Sequence, residues 1–275
     1  ENEFVSTSSL YLCSNATIDI SGTRGHVTTF QDGAVIKSAD ATQCSADVTG
    51  SNIIVSKGQT IVSTSDVSGL LSFTFMGDSY SIFNSQSISL TEVASFSVLN
   101  SAFVYLVNKY NTGLELTSDG YVHIDEDAVV FSRNLTLSTG GTASSSSVTV
   151  DGTLTATGLG YYGHEGPLPG LSDALSASGG SYGGRGGTGH VDTSIYSSDV
   201  FMSSDSVLKP IDFGSGGGNG YNNGTGGAGG GHISVVCSTL VNNGVIASNG
   251  GHGYAGGSGG GAGGSIFINI TGVMS

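Results

Sequence analysis

The chain has 275 residues, of which only 10% are charged, and 7 Lys plus Arg stand against 21 Asp plus Glu for a formal net charge of −14. Nucleic acid and anionic lipid surfaces are bound mainly through Lys and Arg, so this balance excludes a polybasic contact with either. With 47 Gly, 45 Ser and 25 Thr and few helix formers, the chain reads as all-β, and no apolar run reaches the ~18 residues of a membrane span.

The chain starts at Glu1 without a basic or apolar leader, as expected of an exported protein whose signal peptide is gone, or of an internal fragment. Cys13 and Cys44 are candidates for a disulfide suited to an exported protein, with two buried thiols as the alternative. Through residue 146, strand-sized apolar runs such as Ile53-Ile54-Val55, Leu71-Ser72-Phe73-Thr74-Phe75 and Phe103-Val104-Tyr105-Leu106-Val107 alternate with Gly, Asp, Asn and Ser. This part is expected to supply early rungs of a coil, since one rung cannot bury its own core and several must stack.

Asp125-Glu126-Asp127 is the densest acidic run. In extended backbone Asp125 and Asp127 share one face, which makes them the candidate pair for Ca²⁺; the alternative is a solvated turn between two strands. No CxxC or other metal-ligand spacing occurs, and neither a metal nor another cofactor is expected.

Residues 147–275 carry an internal repeat. Sliding the stretch from Gly217 to Ile233 by 33 positions lays it on Gly250 to Ile266, with Tyr221 on Tyr254 and Thr225 on Ser258. The strand that follows keeps register: Ile233, Val235 and Cys237 fall on Ile266, Ile268 and Ile270. In a partial third copy, Gly152, Leu154 and Gly158 correspond to Gly244, Ile246 and Gly250. Between the copies, residues 161–213 form an irregular insertion that holds Pro167, Pro169 and Pro210. Tyr221 and Tyr254 are read as anchors of the glycine loops, which are either packed backbone of the polyglycine-II kind or flexible loops.

The units GTLTATGLGYYGHEGPLPG, FGSGGGNG followed by GGAGGGHISV, and GVIASNGGHGYAGGSGGGAGGSIFI resemble glycine-rich repeat regions of very large secreted and cell-surface proteins of protists and some bacteria. The resemblance covers about residues 147–275. It implies a right-handed parallel β-helix, a solenoid with long glycine-rich loops, repeated in an extracellular protein.

Little in the sequence points to catalysis. Arg24, Arg133 and Arg185 are isolated, the six histidines form no ligand array, and no Gly-x-Ser-x-Gly sits between a strand and a helix. The glycine runs lack the Lys and Ser/Thr of a phosphate loop and the repeated Asp of calcium-binding nonapeptides. The sequons at Asn15, Asn134, Asn223 and Asn269 are candidate glycosylation sites, Asn223 foremost because its loop should be exposed. The expected role is therefore a non-enzymatic structural subunit or repeat module of an extracellular filament or cell-surface fibre. Its partners would be copies of itself or neighbouring repeats, and glycans are a further candidate. The alternatives are a glycan-binding adhesin, for which Tyr161, Tyr162 and Tyr182 would form the aromatic patch, and a polysaccharide lyase or hydrolase.

Overall fold

The computed structural model describes side chains over residues 74–75, 95–105, 120–139, 147–172, 176–183, 186–187 and 208–272, and elsewhere strand backbones only. Cys13, Cys44 and Asn15 lie outside the described residues. No helix long and apolar enough to cross a membrane occurs among the described residues.

Two branches of parallel strands share Asn52–Val62 and so form one sixteen-stranded sheet. One branch begins Thr17–Ser21, Asn52–Val62, Ser72–Phe75, Val93–Val98 and Leu114–Ile124. Leu114–Ile124 then pairs with both Asn134–Thr139 and Ser147–Val150, which both pair with His232–Asn242, and Ser265–Met274 closes the branch. The other branch runs Glu3–Ser6, Val27–Phe30, Asn52–Val62, Ser79–Asn84, Phe103–Val107, Val129–Ser132, Thr153–Thr155 and Val245–Ala247. A second, four-stranded parallel sheet holds Leu10–Leu12, Val35–Ser38, Asp66–Ser68 and Ser89–Thr91.

The period-2 pattern of the sequence explains which face is covered. Val129–Ser132, Asn134–Thr139 and Ser147–Val150 each alternate half-buried with buried residues, so β-branched and leucine side chains face one core. Parallel register then stacks like upon like. Phe75, Val98, Ile124 and Val150 are successive register partners, none more than 1% exposed. Phe96, Val122, Val148 and Leu240 form a second buried column, and Val104, Val130 and Leu154 a third. Each Val, Leu, Ile or Phe withdrawn from water in this way stabilises the fold by about 1.5–3 kcal/mol. Outside the core, Phe103 stacks on Phe131 at 4.8 Å between ring centres.

The expected right-handed parallel β-helix is corrected. The strands build two parallel sheets rather than a solenoid of equal turns. Ile53 pairs Phe73 and Phe96 pairs Val122, but Leu135 pairs Ile233 far along the chain, and Leu114–Ile124 divides its edge between two strands. A regular coil needs equal lengths of chain between paired strands, and this sequence does not supply them. The glycine segments pack into a dense body beside the sheet, the packed-backbone alternative of the sequence reading.

Candidate functional site

The glycine body is built from backbone alone. Along segment 257–264 the exposed residues are Gly257, Gly260 and Gly263, while Gly259 and Ala262 are buried, as is Ser265 just beyond. A period of three is that of a polyproline-II-type helix, which has no internal hydrogen bonds and turns successive amides toward three different neighbours. The pairing follows that rule. Gly259 and Ala262 donate to the carbonyls of Gly218 (3.0 Å) and Ser215 (2.9 Å). Gly261 and Gly264 donate to Gly251 (2.9 Å) and Ser248 (2.8 Å). The carbonyls of Gly259 and Ala262 accept from Gly227 (2.9 Å) and Gly230 (2.8 Å) of the preceding repeat. Ala177 and Gly180, from the irregular insertion, donate to Gly257 (2.8 Å) and Gly260 (2.9 Å).

Rods packed this closely leave no room for side chains. A Cβ on Gly261 would fall on the carbonyl oxygen of Ala228, and one on Gly227 on that of Gly251, both well inside the 3.0 Å that real Cβ atoms keep. Fixing glycine backbone costs more conformational entropy than fixing any other residue, and the cross-rod hydrogen bonds offset that cost.

At the tips, Thr225 and Tyr254 exchange both backbone hydrogen bonds (2.9 and 2.8 Å), joining successive repeats in antiparallel fashion. Asn222 and Asn223 hold φ of 50° and 61°, a left-handed conformation that Asn tolerates better than most residues. Asn223 is exposed there. The rings of Tyr221 and Tyr254 are 48% and 78% exposed, so these residues hold their loops through backbone groups, and the aromatic rings face solvent.

A buried polar group sits where the glycine body meets the sheet. The 33-residue offset places His232 on Ser265, and His232 Nδ1 lies 2.7 Å from Ser265 Oγ. Ser265 donates its hydroxyl proton to the Asp212 carbonyl (2.8 Å), so the imidazole is the donor to Ser265 Oγ. Burial holds the His232 pKa below its ordinary value, which keeps the ring neutral. Burial likewise pushes the Tyr182 phenol up. Among the described residues no donor reaches the buried Asp212 Oδ2. Ser265 is 3% exposed and its proton is committed to a carbonyl, so this Ser–His pair is not arranged as a nucleophile with its base. The repeat offset was the sequence signal for this contact; Tyr182 and Asp212 gave none.

The remaining candidates are scattered. Asp125, Glu126 and Asp127 form the turn between Leu114–Ile124 and Val129–Ser132, where Asp125 Oδ2 accepts from the Asn100 amide (3.2 Å). No group of three or more His, Cys, Asp or Glu side chains able to hold a metal ion occurs among the described residues. Asn134 opens its strand half-buried, and Asn269 is exposed on the last strand. Cys237 is 2% exposed with its thiol pushed up by burial, so it packs as an apolar side chain and pairs in register with Ile270. Tyr161 packs edge-on against Phe213 (5.9 Å) and the Tyr182 hydroxyl is buried, which leaves Tyr162, 65% exposed, as the solvent-facing ring of the three. His123, unforeseen from sequence, and Asn243, which the alignment of Gly152 on Gly244 sets opposite Asp151, both hydrogen-bond Asp151 (3.2 and 2.8 Å) and lower its pKa, Asn243 most.

The stack ends in an open edge. Among the described residues Ser265–Met274 is bonded only to His232–Asn242, and Val245–Ala247 only to Thr153–Thr155. Ile266 and Ile268 are 37% and 39% exposed, whereas their register partners Ile233 and Val235 are 0% exposed. Comparison of the chain with protein-family models, curated proteins and solved structures finds no match.

Proposed function

We propose that this chain is a structural unit of an extracellular filament or cell-surface fibre, joined to its neighbours through the open edge of the parallel sheet and the glycine body beside it. The observation that carries this reading is the last strand, whose apolar residues continue buried columns of the core yet lie half-exposed on an edge with no further strand partner among the described residues. Such an edge offers a row of unpaired N–H and C=O groups together with an apolar face, a template for another strand. All strand pairs of the sheet are parallel, so its first and last edges differ, and contacts between them are head-to-tail, the kind that builds an open filament wherever the rotation does not close a ring. The hydroxyl-rich, weakly charged composition and the exposed sequons at Asn223 and Asn269 support an exported setting.

Negative-stain electron microscopy of the purified chain, with mass measured before and after deglycosylation, tests the reading. Filaments with a regular subunit spacing are expected. Discrete monomers across the accessible concentration range would overturn it.

A further inference from the structure

The edge strand and the glycine body together say what chemistry the next neighbour must have. In the interface between the last two repeats, Ile233 and Val235 of one are covered by Ile266 and Ile268 of the next in parallel register. Alongside, Gly227 and Gly230 donate their amides to Gly259 and Ala262 of the next repeat. A Cβ on Gly227 would meet the Gly251 carbonyl of that repeat, and one on Gly230 the Ser248 carbonyl, so both positions must be glycine.

The equivalent positions in the last repeat, 33 residues on, are Gly260 and Gly263. Both are exposed, and no backbone acceptor meets either amide among the described residues. The nearest atom to a Cβ built on either is 3.6 Å away, ordinary van der Waals contact, and neither has a positive φ. Within the described residues, nothing about their own packing or conformation requires glycine there. Yet these amides are the third face of a threefold rod whose other two faces are paired, and they line an open groove of about 500 Å³ with Tyr182 on its wall.

We infer that the edge of Ser265–Met274 and the glycine rod beside it are the acceptor face for one further unit of the same 33-residue repeat. That unit would set a parallel strand on Ser265–Met274 and a glycine rod on Gly260 and Gly263, the rod's carbonyls three residues apart taking the two amides. The occupant is a glycine-rich rod because the groove floor is backbone: a chain bearing side chains at the contact positions cannot approach to hydrogen-bonding distance, as Gly227 shows in the interface already formed. This inference deepens the structural reading above by naming the partner at the open edge.

The test appends a second copy of residues 243–275 directly after Ser275 of the full chain, which keeps the 33-residue register. Amide exchange at Gly260 and Gly263 is then compared by NMR in the parent and extended chains. Exchange at both is expected to slow by about tenfold or more in the extended chain, toward the rates at Gly227 and Gly230, with a higher melting temperature. The double variant Gly260→Val/Gly263→Val should remove both gains from the extended chain while leaving the parent's melting temperature unchanged or slightly raised. Equal exchange in the two chains would overturn the inference. So would amides already slow in the parent, since the chain itself would then cover the face, or a parent destabilised by the double variant. Microscopy of the parent reads filament formation separately, so either idea can fail alone.

Discussion

At the residue scale, the energetics rest on neutral groups placed where charge would be costly. His232 is buried against Ser265 and donates to its hydroxyl, and burial lowers its pKa. A histidine with a depressed folded-state pKa binds fewer protons folded than unfolded. Its stability contribution is therefore fully present above the ordinary value of 6.5 and lost as pH falls below it. Thermal unfolding of wild type should shift to lower temperature between about pH 7.5 and pH 5.5, and His232→Asn, which keeps a donor but cannot protonate, should show a smaller shift. Parallel slopes for the two proteins would contradict the burial of a neutral ring. Asp151 acts in the opposite sense of charge: its carboxylate is favoured by Asn243 and His123, so that contribution fades only in acid, below its ordinary 3.8. The Asn243 contact spans 92 residues, the offset at which the sequence repeats align Gly152 with Gly244 and Leu154 with Ile246.

At the element scale, two kinds of close packing meet. The strands bury apolar columns, and the rods bury carbonyls and amides in contact with one another. The rods make glycine a requirement at some positions and an option at others, and the two classes are separable by experiment. Gly261→Ala places a methyl on the Ala228 carbonyl and should cost about 1–3 kcal/mol in denaturant unfolding, because backbone has to move. Gly263→Ala meets only the Ser248 carbonyl, at 3.6 Å and so in ordinary van der Waals contact, and should leave stability unchanged or raise it by up to about 1 kcal/mol by restricting the unfolded state. Equal losses at both sites would show that the threefold face is occupied. Sequence reading went far at this scale. Leu154 with Ile246, and Ile233 with Ile266, were aligned as repeats and are register partners in the sheet. The tyrosines expected as loop anchors hold their tips through backbone groups, and their exposed side chains fit a rod surface of glycine that offers no apolar socket to a ring.

At the scale of the whole molecule, an open parallel edge is combined with a net charge of −14. Copies meeting end to end repel one another at low salt, where the Debye length is about 30 Å at 0.01 M, and much less at physiological salt, where it is about 8 Å. Light scattering of the purified chain should therefore report more association on raising ionic strength from roughly 0.01 M to roughly 0.15 M. Association should also rise as the pH approaches the isoelectric point of about 4.4. Scattering that is independent of both would mean that the edge does not mediate contact between copies.

The sequence by itself determined the all-β character of the described residues, the 33-residue offset and the register of the last strands, because composition, period-2 burial and repetition are local properties. It did not determine that Asn134–Thr139 pairs with His232–Asn242, that one long strand belongs to two branches, or that the irregular insertion threads into the glycine body at Ala177 and Gly180. Those follow from tertiary structure. A parallel ladder joins residues of any separation, and a glycine, with no side chain to show a preference, reveals its role only when the backbone lying against it is in place.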